Sequence, residues 1–439
     1  MRKDRTRIAR YALRTAGVLG AAAALNAMTA GFAFSQDKPS ELVMWNIPLS
    51  ESYTKFWTDY VEAFNASHAD IHVSYEEFDT ETLKTKIRAA LLAGTEPDIW
   101  FFFPGEFTTI NHQEGKIRAL DDILPVSEYT EEGIRRCSDG DEVICLPLFM
   151  APSAVYYNKA LFAEAGIDPG KWANPDRPTL EEFHAATESL TAAGIAPLAV
   201  GNSGKWPFMH YYWAAQNRYG GTEALNNAAL GQNGGSYEDE SFVKAGGFVQ
   251  DLANREALSA GFNGMASSEM YALFHQGDAA MIYMGPWMIA IAEGNAPEGF
   301  DYDLFDFPSF SDGDPDSQTD MMAGLDALFV SSSTEHPEAV GEFLAGFSEP
   351  ETARRFMIET NNMSTVKGIL EDVIASGEAN EKLARLAGFL SKAGHTYQWW
   401  DWLLPPAVAE EMLNVSQPLS VGDITPEEAA ARLEQTARP

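Results

Sequence analysis

The sequence predicts an α/β protein folded as two lobes. The chain has 439 residues, more than one compact hydrophobic core usually holds. From residue 41 onward, short apolar runs alternate with amphipathic helical patterns, the order that builds a sheet covered by helices. One run, PDIWFFF (Pro97–Phe103), is apolar almost throughout, as expected of a parallel strand buried on both faces. In such sheets ligands meet the loops at the carboxyl ends of the strands.

Taken in order, the first residues stand apart. Arg2, Lys3, Arg5, Arg7, Arg10 and Arg14 form a basic head before the Ala-rich run Ala16–Ala30, and Ala33-Phe34-Ser35 offers small residues for a peptidase. Residues 1–35 are therefore expected to be a cleaved secretory signal peptide. The apolar run is short for a membrane span, and no Cys at the cleavage site invites a lipid anchor. The mature chain opens with a strand at Glu41–Asn46. A helix follows at Ser52–Ala66, with Phe56, Tyr60, Val61 and Phe64 at helical spacing. A strand at Ile71–Phe78 and a helix at Thr82–Ala93, closed by Gly94, lead to the buried strand Pro97–Phe103. The two cysteines, Cys137 and Cys145, flank an Asp139-Gly140 turn signal. Thiols this close in an exported chain are expected to bridge a hairpin, in a structural role, since no CxxC spacing occurs. An extended segment from Leu146 then runs into a helix that Gly166 stops. Thr179 caps the next helix, with Glu182 completing the capping box. Gly- and Asn-rich turns fill Ala228–Ser236. Further on, GDAAMIYM reads as a buried strand that Gly285-Pro286-Trp287 breaks at a turn. An acidic loop at Ser309–Asp320 precedes a strand at Ala327–Ser333 and a helix at His336–Phe347. Tail helices are expected near Asn380–Lys392, Ala407–Val415 and Pro426–Gln435.

Charge excludes some partners. Residues 1–35 carry six of the 30 Lys and Arg and one of the 64 acids, so their removal takes the formal net charge from −34 to −39. Such a surface repels nucleic acid and anionic lipid, and stable membrane insertion is not expected. Catalytic templates fail: no HExxH, G-x-S-x-G or Walker loop is present. Asp312, Asp314, Asp316 and Asp320 imitate a calcium loop, but Ser317 replaces the turn Gly and Ala323 the closing Glu. His68 and His72 lie across a loop-to-strand boundary, so no metal site and no cofactor is expected. Glu106 and Asp401 sit near aromatics as glycosidase carboxylates do, which keeps a secreted carbohydrate-active hydrolase as an alternative.

The aromatics are more informative. Trp45, Phe101–Phe103, Trp206, Trp213, Trp287 and the cluster Tyr397-Gln398-Trp399-Trp400-Asp401-Trp402 fall at strand ends or beside Gly, Pro and polar residues. Flat rings beside Asn, Asp, Glu and Gln suit a sugar, whose C–H face packs on the ring while its hydroxyls bond the polar neighbours.

FHQGDAAMIYMGPWM (Phe274–Met288) resembles the signature of extracellular solute-binding proteins of sugar ABC importers, the maltose-binding-protein-like family. Five further pieces agree in the family's order: LVMWN; LLAGTEPDIWFF; DGDEVICLPLFMAPSAVYYNKALFAEAGIDP with PTLEEF; GLDALFVSSSTEHPEAVGEFLAGFSEPETARRF; and TPEEAAARLEQ. The resemblance implies a two-lobed periplasmic binding protein fold, with strands crossing a hinge and ligand gripped in the cleft between the lobes. Residues 36–149 with 327–368 are expected to form the N-terminal lobe, and 150–326 with 369–439 the C-terminal lobe. The crossings fall near Phe149–Pro152, Leu325–Ser331 and Lys367–Asp372. By the same resemblance, Trp287 and either Trp399 or Trp400 stack on sugar, with Asp401 beside them. Trp45 and Asn46 lie in the loop after the first strand, and Phe102, Phe103 and Glu106 in the loop after the third. Gly324 and Asp326 precede the returning strand, while Trp206, His210 and Trp213 face the cleft from the second lobe. Ala151 and Gly105 stand where maltose binders carry acids, so maltose itself is not implied. The implied role is a periplasmic monomer that binds a neutral mono- or oligosaccharide and delivers it to a membrane permease without chemistry. A binder of a polyol or a sugar derivative such as glycerol phosphate is a further alternative; it needs Lys or Arg in the cleft, and these segments are poor in both.

Overall fold

In this computed structural model the described residues are 39–172 and 177–439; the expected signal peptide, residues 1–35, lies outside them. β1 (Ser40–Asn46) runs parallel to both β2 (Ile71–Glu77) and β3 (Ile99–Phe102). β4 (Ser138–Asp139) and β5 (Glu142–Val143) form a small hairpin. β6 (Leu146–Pro152) and β7 (Ala154–Asn158) are separated only by Ser153. β8 (Ala196–Leu198), β9 (Ala279–Met284) and β10 (Tyr302–Phe305) follow. β11 (Met321–Val330), β12 (Met363–Ser364) and β13 (Thr396–Tyr397) complete the strands.

These strands build two sheets joined by crossing segments. The first has the order β12-β6-β11-β3-β1-β2, with β13 paired to the start of β11; the second has the order β10-β7-β9-β8. The chain changes sheets at Ser153, whose N–H donates to the Met322 carbonyl at 2.8 Å. β11 runs antiparallel to both β3 and β6 and is buried along all ten residues. It starts six residues earlier than expected, because its first half stays paired with β6 (Ala323 opposite Pro152, Gly324 opposite Ala151) instead of serving as a loop. The β6–β11 ladder contains a bulge. Asp326 faces Phe149 but Ala327 faces Pro147, leaving Leu148 unmatched, and the Leu148 carbonyl accepts from Thr365 Oγ1 at 3.2 Å.

Helices cover the sheets where the patterns place them. Ser50 caps the helix Glu51–Ser67, its hydroxyl accepting from Tyr53 N–H. That helix buries Tyr53, Phe56, Trp57 and Tyr60, which meet Phe343, Phe347 and Phe356 edge-on and stacked. Thr179 and Glu182 make the expected capping box on Leu180–Ala192. Two elements differ from expectation. The helix Trp206–Leu230 extends into the expected turn region and is interrupted at Gly221. Trp287 does not stand on a turn edge but begins the helix Trp287–Asn295, because Pro286 already holds helical angles (φ −64, ψ −24).

Cys137 and Cys145 are disulfide-bonded across the β4–β5 hairpin, with Cα atoms 5.0 Å apart. Beside them, the Arg136 guanidinium donates to the Ala323 carbonyl at 2.5 Å and to Thr396 Oγ1 at 2.8 Å, tying the hairpin to β11 and β13. Among the described residues no group of metal ligands forms, and no helix is long and apolar enough to cross a membrane.

Candidate functional site

The carboxyl ends of β1 and β3 open onto a cavity of about 340 Å³. From the first sheet's side it is lined by the loop Ile47, Pro48, Leu49 after β1, by Phe103 after β3, and by Asp79, Glu81 and Lys84 at the start of the helix Thr80–Ala93. Asp79 caps that helix, Oδ1 accepting from Thr82 N–H at 3.0 Å, which fixes the helix end against the cavity. The opposite wall carries Trp206 and His210 of one helix, Ser267 and Tyr271 of another, and Trp287. Asp326 of β11 and the segment Trp399, Asp401, Trp402 close the remaining side.

Aromatic rings are fixed here by close packing on glycine. A Cβ at Gly285 would lie 2.1 Å from Trp287 Cζ3, so the indole rests directly on the glycine backbone. Trp287 Nε1 donates to Tyr271 Oη at 3.2 Å, and the residue is 8% exposed. Gly324 gives the same seat to Trp399: a Cβ there would meet Cη2 at 2.2 Å. Trp399 stands between Phe103 at 5.8 Å, Trp287 at 5.9 Å and His210 at 6.4 Å, ring centroid to centroid. Trp402 stacks on Phe103 at 4.6 Å and 21°. Lys84 Nζ lies 4.7 Å from the centre of the Trp402 ring.

Four carboxylates and one cation, Lys84, line the cavity among the described residues. Lys84 is shared, its Nζ lying 2.9 Å from Glu81 and 3.9 Å from Asp401. Burial lifts the Asp401 carboxyl to about 6, partly opposed by Lys84. Burial also raises Asp326 well above the usual carboxylate range, and its Oδ2 has no hydrogen-bond partner. His210 is pushed down to about 3 by burial, with Lys84 adding to the effect, so the imidazole is neutral at physiological pH. The walls therefore offer flat apolar rings, a few polar atoms without partners and a negative balance of charge. Such a surface holds an uncharged polyhydroxylated molecule by stacking and hydrogen bonding.

Comparison with known proteins agrees with this geometry. The model of the family described as bacterial extracellular solute-binding protein matches residues 49–354. The chain belongs to that family. The galactooligosaccharide-binding protein of Bacillus subtilis (strain 168) is 24% identical over 414 residues, covering 92% of this chain and 90% of its own. A solved chitin oligosaccharide binding protein superposes with a TM-score of 0.81 at 22% identity, over 91% of this chain and 98% of that one. The GacH receptor of Streptomyces glaucescens, solved unliganded and with acarbose, gives a TM-score of 0.75 at 19% identity, again over 91% and 98%. These likenesses show the two-lobed fold of solute-binding proteins, and the relatives are binding receptors rather than enzymes.

Within this solute-binding protein, seven of the sequence-derived site residues line the cavity: Phe103, Trp206, His210, Trp287, Asp326, Trp399 and Asp401. Seven others lie outside its lining. Trp45 meets Phe78 edge-on at 5.5 Å, under Lys86. Asn46 is buried beneath the cavity loop, its Oδ1 accepting from Ile47 N–H at 2.8 Å and from Tyr53 Oη–H at 3.3 Å. Phe102 ends β3 and supports Trp402 at 5.0 Å. Glu106 begins the helix Glu106–Gln113 and is partly exposed. Trp213 lies inside a helix rather than at an edge, fully buried. Trp400 is buried against Tyr212 and Phe242. Gly324 lies under Trp399.

Sequence reasoning passed over Lys84 and Tyr271, and named Trp402 only within the aromatic cluster without giving it a role of its own. Trp399 and Trp402 are three apart, so a single helical turn puts them on one face and Trp400 on the other; that spacing was a usable signal. Lys84 comes from a segment that was not expected at the cleft, and its two carboxylate neighbours leave little positive charge to attract an anion.

Proposed function

We propose that this solute-binding protein captures a neutral carbohydrate in the cavity and presents it to the membrane permease of an ABC importer. The observation that carries the reading is the set of rings Phe103, Trp206, Trp287, Trp399 and Trp402 gathered with carboxylates and hydroxyls around one cavity. Its volume, near the low end for small-molecule sites, favours a short saccharide of one or two rings. The ligands named for the relatives, galactooligosaccharide, chitin oligosaccharide and acarbose, support the same class. Asp79, Glu81 and Asp401 outnumber Lys84, which disfavours a phosphorylated or acidic sugar.

The protein acts as a periplasmic monomer released by its signal peptide, with lobes of residues 36–149 plus 327–368 and 150–326 plus 369–439. Closure of these lobes over the ligand creates the surface that the permease recognises. The test is a thermal-shift panel of neutral mono- and oligosaccharides followed by calorimetric titration of those that stabilise. Saturable binding without product formation supports the reading; turnover of a bound oligosaccharide, or tighter binding of glycerol phosphate than of any neutral sugar, refutes it.

A further inference from the structure

We propose that Asp326 meets the ligand as an un-ionised carboxylic acid, donating its O–H to a ligand oxygen at the floor of the cavity. This rests on the carbohydrate reading and adds to it the protonation state of one residue. Asp326 lies on β11 two residues after Gly324, so a strand's alternation puts it on the face where Trp399 sits. It is 2% exposed, it lines the cavity, and its Oδ2 makes no hydrogen bond.

No cation among the described residues comes within ion-pairing distance of it. Lys84 is held between Glu81 and Asp401, and His210 across the cavity is neutral. The Tyr53 hydroxyl, on the helix Glu51–Ser67, is already given to Asn46 Oδ1. A buried carboxylate without a partner is costly, whereas the protonated group leaves only a hydrogen bond to be made. Burial shifts Asp326 in that direction.

The difference matters for what can bind. A carboxylate only accepts hydrogen bonds; the acid form donates one and accepts another, as an amide does. Ring and glycosidic oxygens of a saccharide carry no hydrogen and need a donor. The acid form supplies one at a point in the cavity where Lys84 is otherwise engaged.

Asp326→Asn keeps the shape, one donating and one accepting side; Asp326→Ala removes both. The wild type and both variants are titrated at pH 7 with D-glucose, D-galactose, maltose, lactose and N,N′-diacetylchitobiose, and with D-glucosamine and D-galactosamine as charged counterparts. Expected is a Kd within about threefold of wild type for Asp326→Asn and a loss of roughly 10- to 100-fold for Asp326→Ala. Infrared difference spectra should show a protonated-carboxyl C=O band in wild type that is absent from Asp326→Asn. A Kd as weak for Asp326→Asn as for Asp326→Ala overturns the proposal while leaving the carbohydrate reading standing. So does an amino sugar bound tighter than its parent, with the preference lost in Asp326→Asn. A wild type that binds none of the sugars overturns both.

Discussion

Gly324→Ala is the most exacting check on how the cleft is built. The new methyl would stand 2.2 Å from Trp399 Cη2 and 2.3 Å from both Cζ2 and Cζ3. Ordinary carbon contacts begin near 3.4 Å, so the indole must retreat by more than an ångström. It has little room, because Phe103, Trp287 and His210 stand around it. The backbone side gives no better, since Gly324 is paired within the β6–β11 ladder. Overpacking of this kind destabilises by about 1–3 kcal/mol. With an unfolding entropy of about 2 cal/mol/K per residue over some 400 ordered residues, that is a fall in Tm of roughly 1–4 °C. Ligand affinity should fall with it, about five- to tenfold, if the displaced ring loses roughly 1 kcal/mol of stacking. Differential scanning calorimetry and titration of the same preparation read both quantities. The control is Trp399→Leu, which removes the ring edge that the methyl would strike. In that background Gly324→Ala should be nearly silent, giving a coupling energy within the range of about 0.5–3 kcal/mol for contacting residues. A Gly324→Ala protein with unchanged Tm and Kd, or one equally destabilised with and without Trp399, would refute the packing argument.

Other outcomes follow from the same geometry. Trp287→Ala should weaken sugar binding by about 1–3 kcal/mol, read as Kd, while far-ultraviolet circular dichroism stays unchanged; equal affinity would remove Trp287 from the site. Reducing Cys137–Cys145, or replacing both residues by Ser, should lower stability by about 2.5 kcal/mol for a bridge spanning eight residues in the chain-entropy relation. Guanidinium unfolding with and without reductant measures it, and an unchanged midpoint would show the hairpin to be preorganised without the bridge. Asp401 has its carboxyl raised from 3.8 to about 6 in the folded state. The folded form thus holds this proton more tightly than the unfolded chain does. The resulting stability is present in full below about pH 4 and is lost as pH rises through 6. Relative to wild type, Asp401→Asn should therefore gain up to about 3 kcal/mol between pH 4 and pH 7, seen in urea midpoints; parallel profiles would contradict it.

Much of this was readable from local chemistry. Caps at Thr179, periodic apolar faces such as Phe56-Tyr60-Phe64, and the apolar run Pro97–Phe103 are properties of a few consecutive residues, and the structure realises each, the last as the shorter strand Ile99–Phe102. Trp287, and Trp399 or Trp400, were picked out by resemblance to the family's stacking positions; Trp287 and Trp399 line the cavity. What stayed hidden depends on residues distant in sequence. Trp213 and Trp400 look like their cavity-facing neighbours until Tyr212 and Phe242 are placed around them. Lys84 reads as an ordinary helix residue, and it becomes part of the site only because Asp401, more than 300 residues further on, joins Glu81 beside it. Gly324 was read as a ligand contact, yet what it provides is the absence of a side chain under Trp399.

The unmatched Leu148 in the β6–β11 ladder has a further consequence. A strand alternates its faces residue by residue, so one surplus residue changes the phase of everything on one side of it relative to the other. Here the surplus falls just before the half of β6 that carries the chain to Ser153 and into the second sheet. Deleting Leu148 would bring Pro147 next to Phe149, as their partners Ala327 and Asp326 already are; the ladder would become regular, lose the bend of the bulge, and lose a carbonyl that Thr365 Oγ1 donates to. The surplus residue thus sets the bend with which β6 hands the chain to the second sheet, and removing it would change the angle between the walls of the cleft without touching a residue that lines it.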